Sequence, residues 1–581
     1  MRALASLILL ALTPLLQAQD SCLRFLPKDP LMVLVVAGPK TLLTALQQTQ
    51  AGKAVAASDL RASLEALVGW LAKDAEFEPL LANLEPKAVL DAALGYDGRF
   101  AMGIGMPPPG AQPIEERAPL VAFVLGPDPR IDPASLLLGF TLNWAKDSDE
   151  APDFEVKFGE RKLRVRRESP DDPWLTEPLQ VDDHIVMYGS DPLPADIAQE
   201  VAGAAGAAKL LPQALHNKLA AIWVPPQVRE LILAELAAEG PTAEAVLRVS
   251  GLLAFGGLSC TLEVEGEQIV QRGQVALDPG QPRGIFDLMA PPSQPLRGLL
   301  SLVPPDCTAW TLYTLHLSAL PALGKRVVDT LGEAAPLSWE EIEQQAKDFL
   351  KVDVAGDLLA HVGDRILAVQ SSRRAAETLP MPTDEMAARE FAAELSGAAI
   401  ALELKQGEAF GKGLERLIRA RGLHATRKTV VDEGQRIHRI AIAGFPLEYA
   451  VTDRLFVLSW GSSGAHDLRV LLARDRARAA GQPLPEPAVG AIPDDCVMVD
   501  VTDTAGNMRN ATELMQSLFL TLQTSLAKHA TEDEAKVQRE VLGRARADFE
   551  RLQRTLTNLR LPLQIGKMRT TPTGLVFEWR M

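Results

Sequence analysis

The chain has 581 residues, 47% of them hydrophobic and 23% charged, with a formal net charge of -16. That is enough apolar material for two cores. The acidic balance argues against a nucleic-acid partner, since nothing concentrates enough cation to displace counterions from phosphates.

Met1–Ala18 opens with Arg2, continues as an apolar run from Ala3 to Leu16 and ends on a small residue. This is the pattern of a secretory leader, too short to span a bilayer. It predicts cleavage near Ala18 and a protein exported to the periplasm or the medium, with no transmembrane segment in the mature chain. Export permits disulfides among Cys22, Cys260, Cys307 and Cys496. Two cysteines fall in each half, so Cys22–Cys260 and Cys307–Cys496 are the expected pairs if any form. Buried free thiols are the alternative.

One phrase recurs along the chain: Phe25–Val36 (FLPKDPLMVLVV), Leu302–Leu317 (LVPPDCTAWTLYTLHL) and Ala491–Val501 (AIPDDCVMVDV). Proline fixes φ, aspartate favours a turn, and the apolar residues that follow prefer a buried strand. After the first copy, Lys40–Gln47 and Leu60–Leu71 read as helices. Gly95–Met106 reads as a turn feeding a strand, Pro107–Arg117 as a loop and Leu120–Leu125 as a strand. Asp132-Pro133 supplies a cap and a first-turn proline for a helix to Ala145. Phe154–Arg167 reads as a hairpin, Leu179–Tyr188 as strand, Ala195–Leu211 as a helix, Leu219–Val224 as strand and Gln227–Ala237 as helix. Gly251–Glu265 and Gln268–Leu277 close the half.

The second half repeats this order. Ala360–Val369 answers Gly95–Met106, and the insertion Ser371–Leu395 answers the proline loop. Ala398–Leu404 and the helix Gly407–Arg421 follow. The closest match sets Gly159–Val165 (GERKLRV) against Gly434–Ile440 (GQRIHRI), pairing Arg161 with Arg436 and Arg164 with Arg439. Ser338 and Thr531, each with an acid three residues on, look like capping boxes. The expected architecture is therefore α+β: a leader at 1–18 and two tandem homologous domains, 19–295 and 296–581. The second carries an added helical hairpin over Thr512–Leu559. Alternating strands interleaved with helices predict mainly antiparallel sheets with helices on one face and a ferredoxin-like opening order.

The leader-proximal phrase FLPKDPLMVLVV, the turns GYDGRFAMGIG and HVGDRILAVQ, and the doubling together resemble a family of exported bacterial proteins. That family, frequent in planctomycetes and cyanobacteria, is classed as a domain of unknown function. The resemblance implies an exported α+β protein and brings no catalytic residues with it.

The sequence offers no catalytic, cofactor-binding or metal-binding set. Eight histidines are scattered without HExxH, and there is no CxxC. Gly461-Ser462-Ser463-Gly464 lacks the GxSxG spacing and reads as a strand-to-helix turn. Ser525–Lys528 fits SxxK without its partner motifs, and Gly407–Gly413 lacks phosphate-loop spacing. Asp171-Asp172, Asp182-Asp183 and Asp494-Asp495 are adjacent, so on extended chain each pair points to opposite faces. The basic hairpin stands above this background. Lys162, Arg164 and Arg166 alternate with Leu163 and Val165, and Arg436 and Arg439 recur in the second half. They are candidates for an anion site or for structural ion pairs, with one arginine of each repeated pair expected to be buried against a carboxylate. These features predict an exported, non-enzymatic binding or structural protein that meets a component of the cell envelope. The alternatives are an envelope hydrolase with carboxylates assembled across strands, and a carrier of an apolar ligand.

Overall fold

The computed structural model describes residues 21–57, 91, 94–106, 119–128, 154–167, 172–207, 209–230, 232–233, 250–305, 307–332, 335–371, 397–442, 445–504 and 561–581. The leader, the helices expected at Leu60–Leu71 and after Asp132, the Pro107–Arg117 loop, Ser525–Lys528 and the hairpin Thr512–Leu559 lie outside the described residues. Two compact units are formed. One comprises Met1–Lys53, Glu65–Glu239 and Phe255–Leu277; the other comprises Ala54–Leu64, Gly240–Ala254 and Asp278–Met581.

In the first unit, β1 (Pro30–Val36) is followed by α1 (Pro39–Gln47) and the start of α2 (Gln50–Ala56), which the boundary after Lys53 divides, then β2 (Phe100–Gly105) and β3 (Val121–Leu125). Next come β4 (Phe154–Phe158), β5 (Arg161–Arg166), β6 (Trp174–Thr176), β7 (Leu179–Val181) and β8 (His184–Ser190). The short helix α3 (Gly203–Ala207) precedes β9 (Ala220–Val224), β10 (Phe255–Glu265) and β11 (Gln268–Leu277). The antiparallel sheet runs β11-β10-β9-β1-β2-β3-β8-β6-β5-β4, with β7 also paired to β8. The proline phrase thus delivers β1 to the middle of the sheet. Its alternate residues Val33 and Val35 join Ala122, Val124, Leu163, Val165 and Tyr188 in one core. Tyr188 donates to the Phe25 carbonyl at 3.1 Å, and burial raises its hydroxyl pKa.

The helix expected over Ala195–Leu211 is broken. Asp196 caps a 3-10 turn, Ile197–Gln199, and α3 and a second turn, Gln213–Leu215, follow separately. Gly203, at φ +63°, and Pro212 interrupt the alanine-rich run.

His184 sits in this core at 3% exposure, its ring 5.1 Å from that of Phe25. Its Nε2 meets Ser21 Oγ at 2.8 Å, while Nδ1 is buried without a partner among the described residues. Burial first, and then the nearby Arg24 charge, push its pKa down from 6.5 to about 4. Below pH 6.5 the unfolded chain takes up a proton that the folded chain refuses. Stability should therefore fall as the pH drops from 6.5 towards 4, and be indifferent to this residue above 6.5. Urea midpoints at neutral and acid pH should show a smaller acid loss for His184→Leu than for the native chain.

The second unit contains β12 (Cys307–Thr314), α4 (Leu320–Leu331), α5 (Trp339–Leu350), β13 (Val362–Ser371), β14 (Ala398–Leu404) and α6 (Gly407–Ala420). Then come β15 (Lys428–Asp432), β16 (Gln435–Ile442), β17 (Phe445–Val451), β18 (Leu455–Trp460) and α7 (Gly461–Ala479). It closes with β19 (Cys496–Thr502), β20 (Gln564–Thr571) and β21 (Gly574–Arg580). The antiparallel order is β21-β20-β19-β12-β13-β14-β18-β17-β16-β15. Ser338 and Glu341 form a reciprocal capping box at the start of α5, as the sequence predicts.

Two expectations change. In the second unit, helices cover both faces of the sheet rather than one. Leu455 and Val457 pack with Leu468, Leu471 and Leu472 of α7, whereas Phe456 and Leu458 pack with Ile418 of α6. The reason is legible in β18: Leu455-Phe456-Val457-Leu458 is apolar at both parities, so each face must be buried. The ferredoxin-like opening order is also not what the pairings give. That order sets a third strand between two parallel ones. Here β1 lies directly antiparallel to β2, and β12 to β13.

None of the four cysteines is joined in a disulfide. Cys22 and Cys496 are buried, and burial pushes the Cys22 thiol up to about 11. No described helix is long and apolar enough to cross a membrane.

Candidate functional site

The basic hairpin is built by simple alternation. Leu163 and Val165 of β5 enter the core, so Lys162, Arg164 and Arg166 take the other face. Their charges are answered locally. Lys162 Nζ lies 2.9 Å from Glu155 on β4, and Arg164 Nε donates to Glu177 at 2.8 Å. Arg166 is half-buried, and Arg161 donates to the Gln180 carbonyl. In the second unit Arg439 stands opposite Glu448 of β17, 3.5 Å away, and Arg436 is exposed.

The expected burial is corrected: the Arg164 and Arg439 side chains are 42% and 58% exposed. Each meets a carboxylate at the sheet margin instead of under a helix. Exposed pairs contribute about 0–1 kcal/mol. Arg164→Met should accordingly lower stability by no more than about 1 kcal/mol, read as a small shift of the urea midpoint.

The pairing of Arg161 with Arg436 is also one residue out of register. The first hairpin turns on Gly159-Glu160 between Phe158 and Arg161; the second turns on Glu433-Gly434 between Asp432 and Gln435. Counted from the turns, Leu163 corresponds to Ile437, and both are core residues. Arg164 then corresponds to His438 and not to Arg439. A slip of one residue exchanges the faces, so the repeated arginines do not form equivalent sites.

A better-formed concavity lies in the first unit, where the sequence marked no site. It is a cleft of about 470 Å3 at the start of β1 and the end of β9. β1 and β9 are antiparallel, with Val33 opposite Trp223. Pro30 therefore begins one strand beside the place where Pro225 and Pro226 end the other. Proline lacks the N–H that would continue the ladder, so the chains part and leave a gap. Lys28, Leu31, Met106, the Lys209–Gln213 segment and Gln227 complete the walls. Trp223 is set by β10: Gly257, at φ +117°, has a position for Cβ only 2.9 Å from the Val224 carbonyl and 3.4 Å from the indole. A side chain there would be strained by the positive φ and would crowd the Val224 carbonyl beside the ring. Lys28 is tied down by the Gln199 carbonyl at 3.0 Å and Glu200 at 3.1 Å, while Lys209 is exposed at the mouth.

The lining includes the Trp223 indole, which also packs against the core, with proline rings, two glutamine amides and an ammonium group. Asp29 is its acid, and the lining contains neither histidine nor cysteine. Such a surface can stack a ring and bond hydroxyl groups. The signal that could have found it is the Trp-Val-Pro-Pro-Gln run at Trp223–Gln227, an aromatic residue at a strand end halted by two prolines.

The second unit has clefts of its own among the described residues. One of about 670 Å3 lies between the start of α6 and the end of α7, where Arg454 pairs with Asp475 at 2.9 Å. Another, about 540 Å3, lies against α4 and α5 and is lined by Leu320, Trp339, Ile342, Val354 and Leu359. Among the described residues no group of three or more histidine, cysteine or acidic side chains could hold a metal ion. No family model, curated protein or solved structure matches this chain.

Proposed function

We propose that the protein is an exported, non-enzymatic binding or structural component of the bacterial cell envelope, made of two tandem copies of one α+β unit. In this reading, the cleft of the first copy holds an envelope glycan by stacking a sugar ring on Trp223. The observation that carries it is the cleft itself: an indole beside Gly257, in a lining shared with Gln213, Gln227 and Lys209, at the first copy of the proline phrase. The leader-like Met1–Ala18 and the resemblance to exported bacterial proteins support the location. The duplication is supported by sheet order. Taken from one edge, β11-β10-β9-β1-β2-β3-β8 reads the same as β21-β20-β19-β12-β13-β14-β18 in chain sequence and pairing. The hairpins β4–β5 and β15–β16 follow at the same end of each order.

The test is calorimetric titration of the mature chain with soluble peptidoglycan fragments and with polysaccharide extracted from the envelope. Native protein should bind one of them, and Trp223→Leu should lose at least about tenfold in affinity while keeping the native circular dichroism spectrum. Release of new reducing ends during the titration would favour the hydrolase instead. Mass spectrometry of the envelope fraction should find a terminus near Gln19; an intact Met1 on cytoplasmic protein would overturn the location. The cleft against α4 and α5, apolar over much of its lining but edged by Glu340, Glu343, Lys347 and Asp353, favours a second reading, a carrier of an apolar ligand. It predicts retention of a fatty acid by the purified protein.

A further inference from the structure

The two hairpins end their sheets differently. In the first unit the outer strand β4 is covered by its own chain: Lys157 N–H donates to the Ala195 carbonyl at 3.1 Å, and Gly159 N–H to Asp196 at 3.0 Å. In the second unit β15 pairs with β16 alone among the described strands. Its valines are turned to solvent, Val430 at 57% and Val431 at 66% exposure. A bare apolar edge is a template for another strand.

The register of the hairpin decides which backbone groups that edge offers. Asp432 and Gln435 close a two-residue turn and are therefore a hydrogen-bonded pair, as are Val430–Ile437 and Lys428–Arg439. The N–H and C=O of Thr429 and Val431 then point outward. We propose that β15 is the interface of a homodimer, in which two copies pair this strand antiparallel about a twofold axis at Val430. Thr429 of each copy faces Val431 of the other, and about four new N–H···O bonds form. Val430 meets its own counterpart across the axis. Lys428, which has no partner in its own chain among the described residues, comes opposite Asp432 of the second copy. Asp432 is held from its own side by Arg469 at 3.2 Å. Pairings centred on Thr429 or Val431 also use the outward groups, but neither sets Lys428 against Asp432. Charge complementarity selects the register, and it selects a second copy of this chain over an unrelated strand.

Sedimentation velocity of the full mature chain over a range of micromolar concentrations is the test. Native protein should approach twice the monomer mass as concentration rises. Lys428→Asp should weaken the dimer by about tenfold or more, because it sets like charges opposite at two symmetric places. Lys428→Asp combined with Asp432→Lys should recover part of it, the remainder being lost because the new lysine faces Arg469. Val431→Pro removes an outward N–H without touching the bonds within the hairpin, and should be monomeric with an unchanged circular dichroism spectrum. Val430→Cys should give a disulfide-linked dimer on mild oxidation, since residues facing across the axis lie within disulfide reach. Native protein that stays monomeric throughout overturns the proposal. So does a dimer that survives both Lys428→Asp and Val431→Pro, which would place the interface elsewhere.

Discussion

Replacing Arg365 with Met is expected to lower the stability of the second unit by about 3 kcal/mol, far more than any other arginine discussed here. Arg365 is 2% exposed on β13. Its Nε donates to Glu403 on the neighbouring strand β14 at 2.8 Å, and Nη2 reaches the second oxygen of the same carboxylate. Nη1 donates to the Pro295 carbonyl at 2.9 Å, and Nη2 to Gln294 at 3.1 Å. The guanidinium therefore satisfies a carboxylate that is only 24% exposed and pins the segment leading into β12. Gly298 makes room for it, since a Cβ there would lie 2.8 Å from Nη1. Methionine fills much of the volume but leaves Glu403 and the Pro295 carbonyl without their donor. That is the costly half of breaking a buried pair. The loss should read as a fall of roughly 6–12 °C in the melting temperature. The double variant Arg365→Met with Glu403→Leu should recover much of it, because the unpaired carboxylate goes as well. A single variant that melts within a degree or two of the native chain would show that this cluster holds nothing in place.

This contrast shows what a sequence discloses and what it conceals. Alternation placed the β4–β5 and β15–β16 hairpins correctly, because period two is a local property of the chain. The Ser338 capping box was equally local. Facing was less secure. The repeated Gly-x-Arg string suggested equivalent arginines, yet the turn fell one residue earlier relative to that string in the second copy and exchanged the faces. The cover on both faces of β18 was written in its unbroken apolar run, and the general rule of helices on one face overrode it. Arg365 lies within the Ala360–Val369 run that answers Gly95–Met106, and nothing in that run singles it out. Its anchoring role depends on Glu403 and Pro295, 38 and 70 residues away, and no periodicity in β13 reports them. The cleft at Trp223 was hidden for the same reason, because it forms where two proline-bounded strand ends, far apart in sequence, come side by side.

Adding one methyl group at Gly464 is expected to cost about 3 kcal/mol, whereas adding the same group at Gly411 should gain about 0.5–1 kcal/mol. Both glycines lie in helices, α7 and α6, where alanine is intrinsically the better residue. The difference is what stands above them. A Cβ on Gly464 would lie 2.2 Å from the Ala398 carbonyl oxygen and 2.9 Å from its nitrogen, the backbone of β14. Neither party can give way cheaply. β14 is hydrogen-bonded on both sides, to β13 and β18. α7 is held down by Leu468, Leu471 and Leu472, all within 2% of complete burial, and by Asp467, which accepts from Ser371 N–H at 3.1 Å. Ser463 adds a bond from its hydroxyl to the Gly397 carbonyl at 3.1 Å. The Gly-Ser-Ser-Gly run is thus a close docking of helix on sheet. On Gly411 the nearest atom is a Val451 methyl at 3.7 Å, ordinary contact, so the methyl brings only its helix preference and its effect on the unfolded chain. Urea midpoints of the two variants should move in opposite directions from the native value. If Gly464→Ala unfolds with the native midpoint, α7 does not sit this close to β14. Ser463 would then be free of its structural role, and the reading of that turn as a nucleophile's position would have to be reopened.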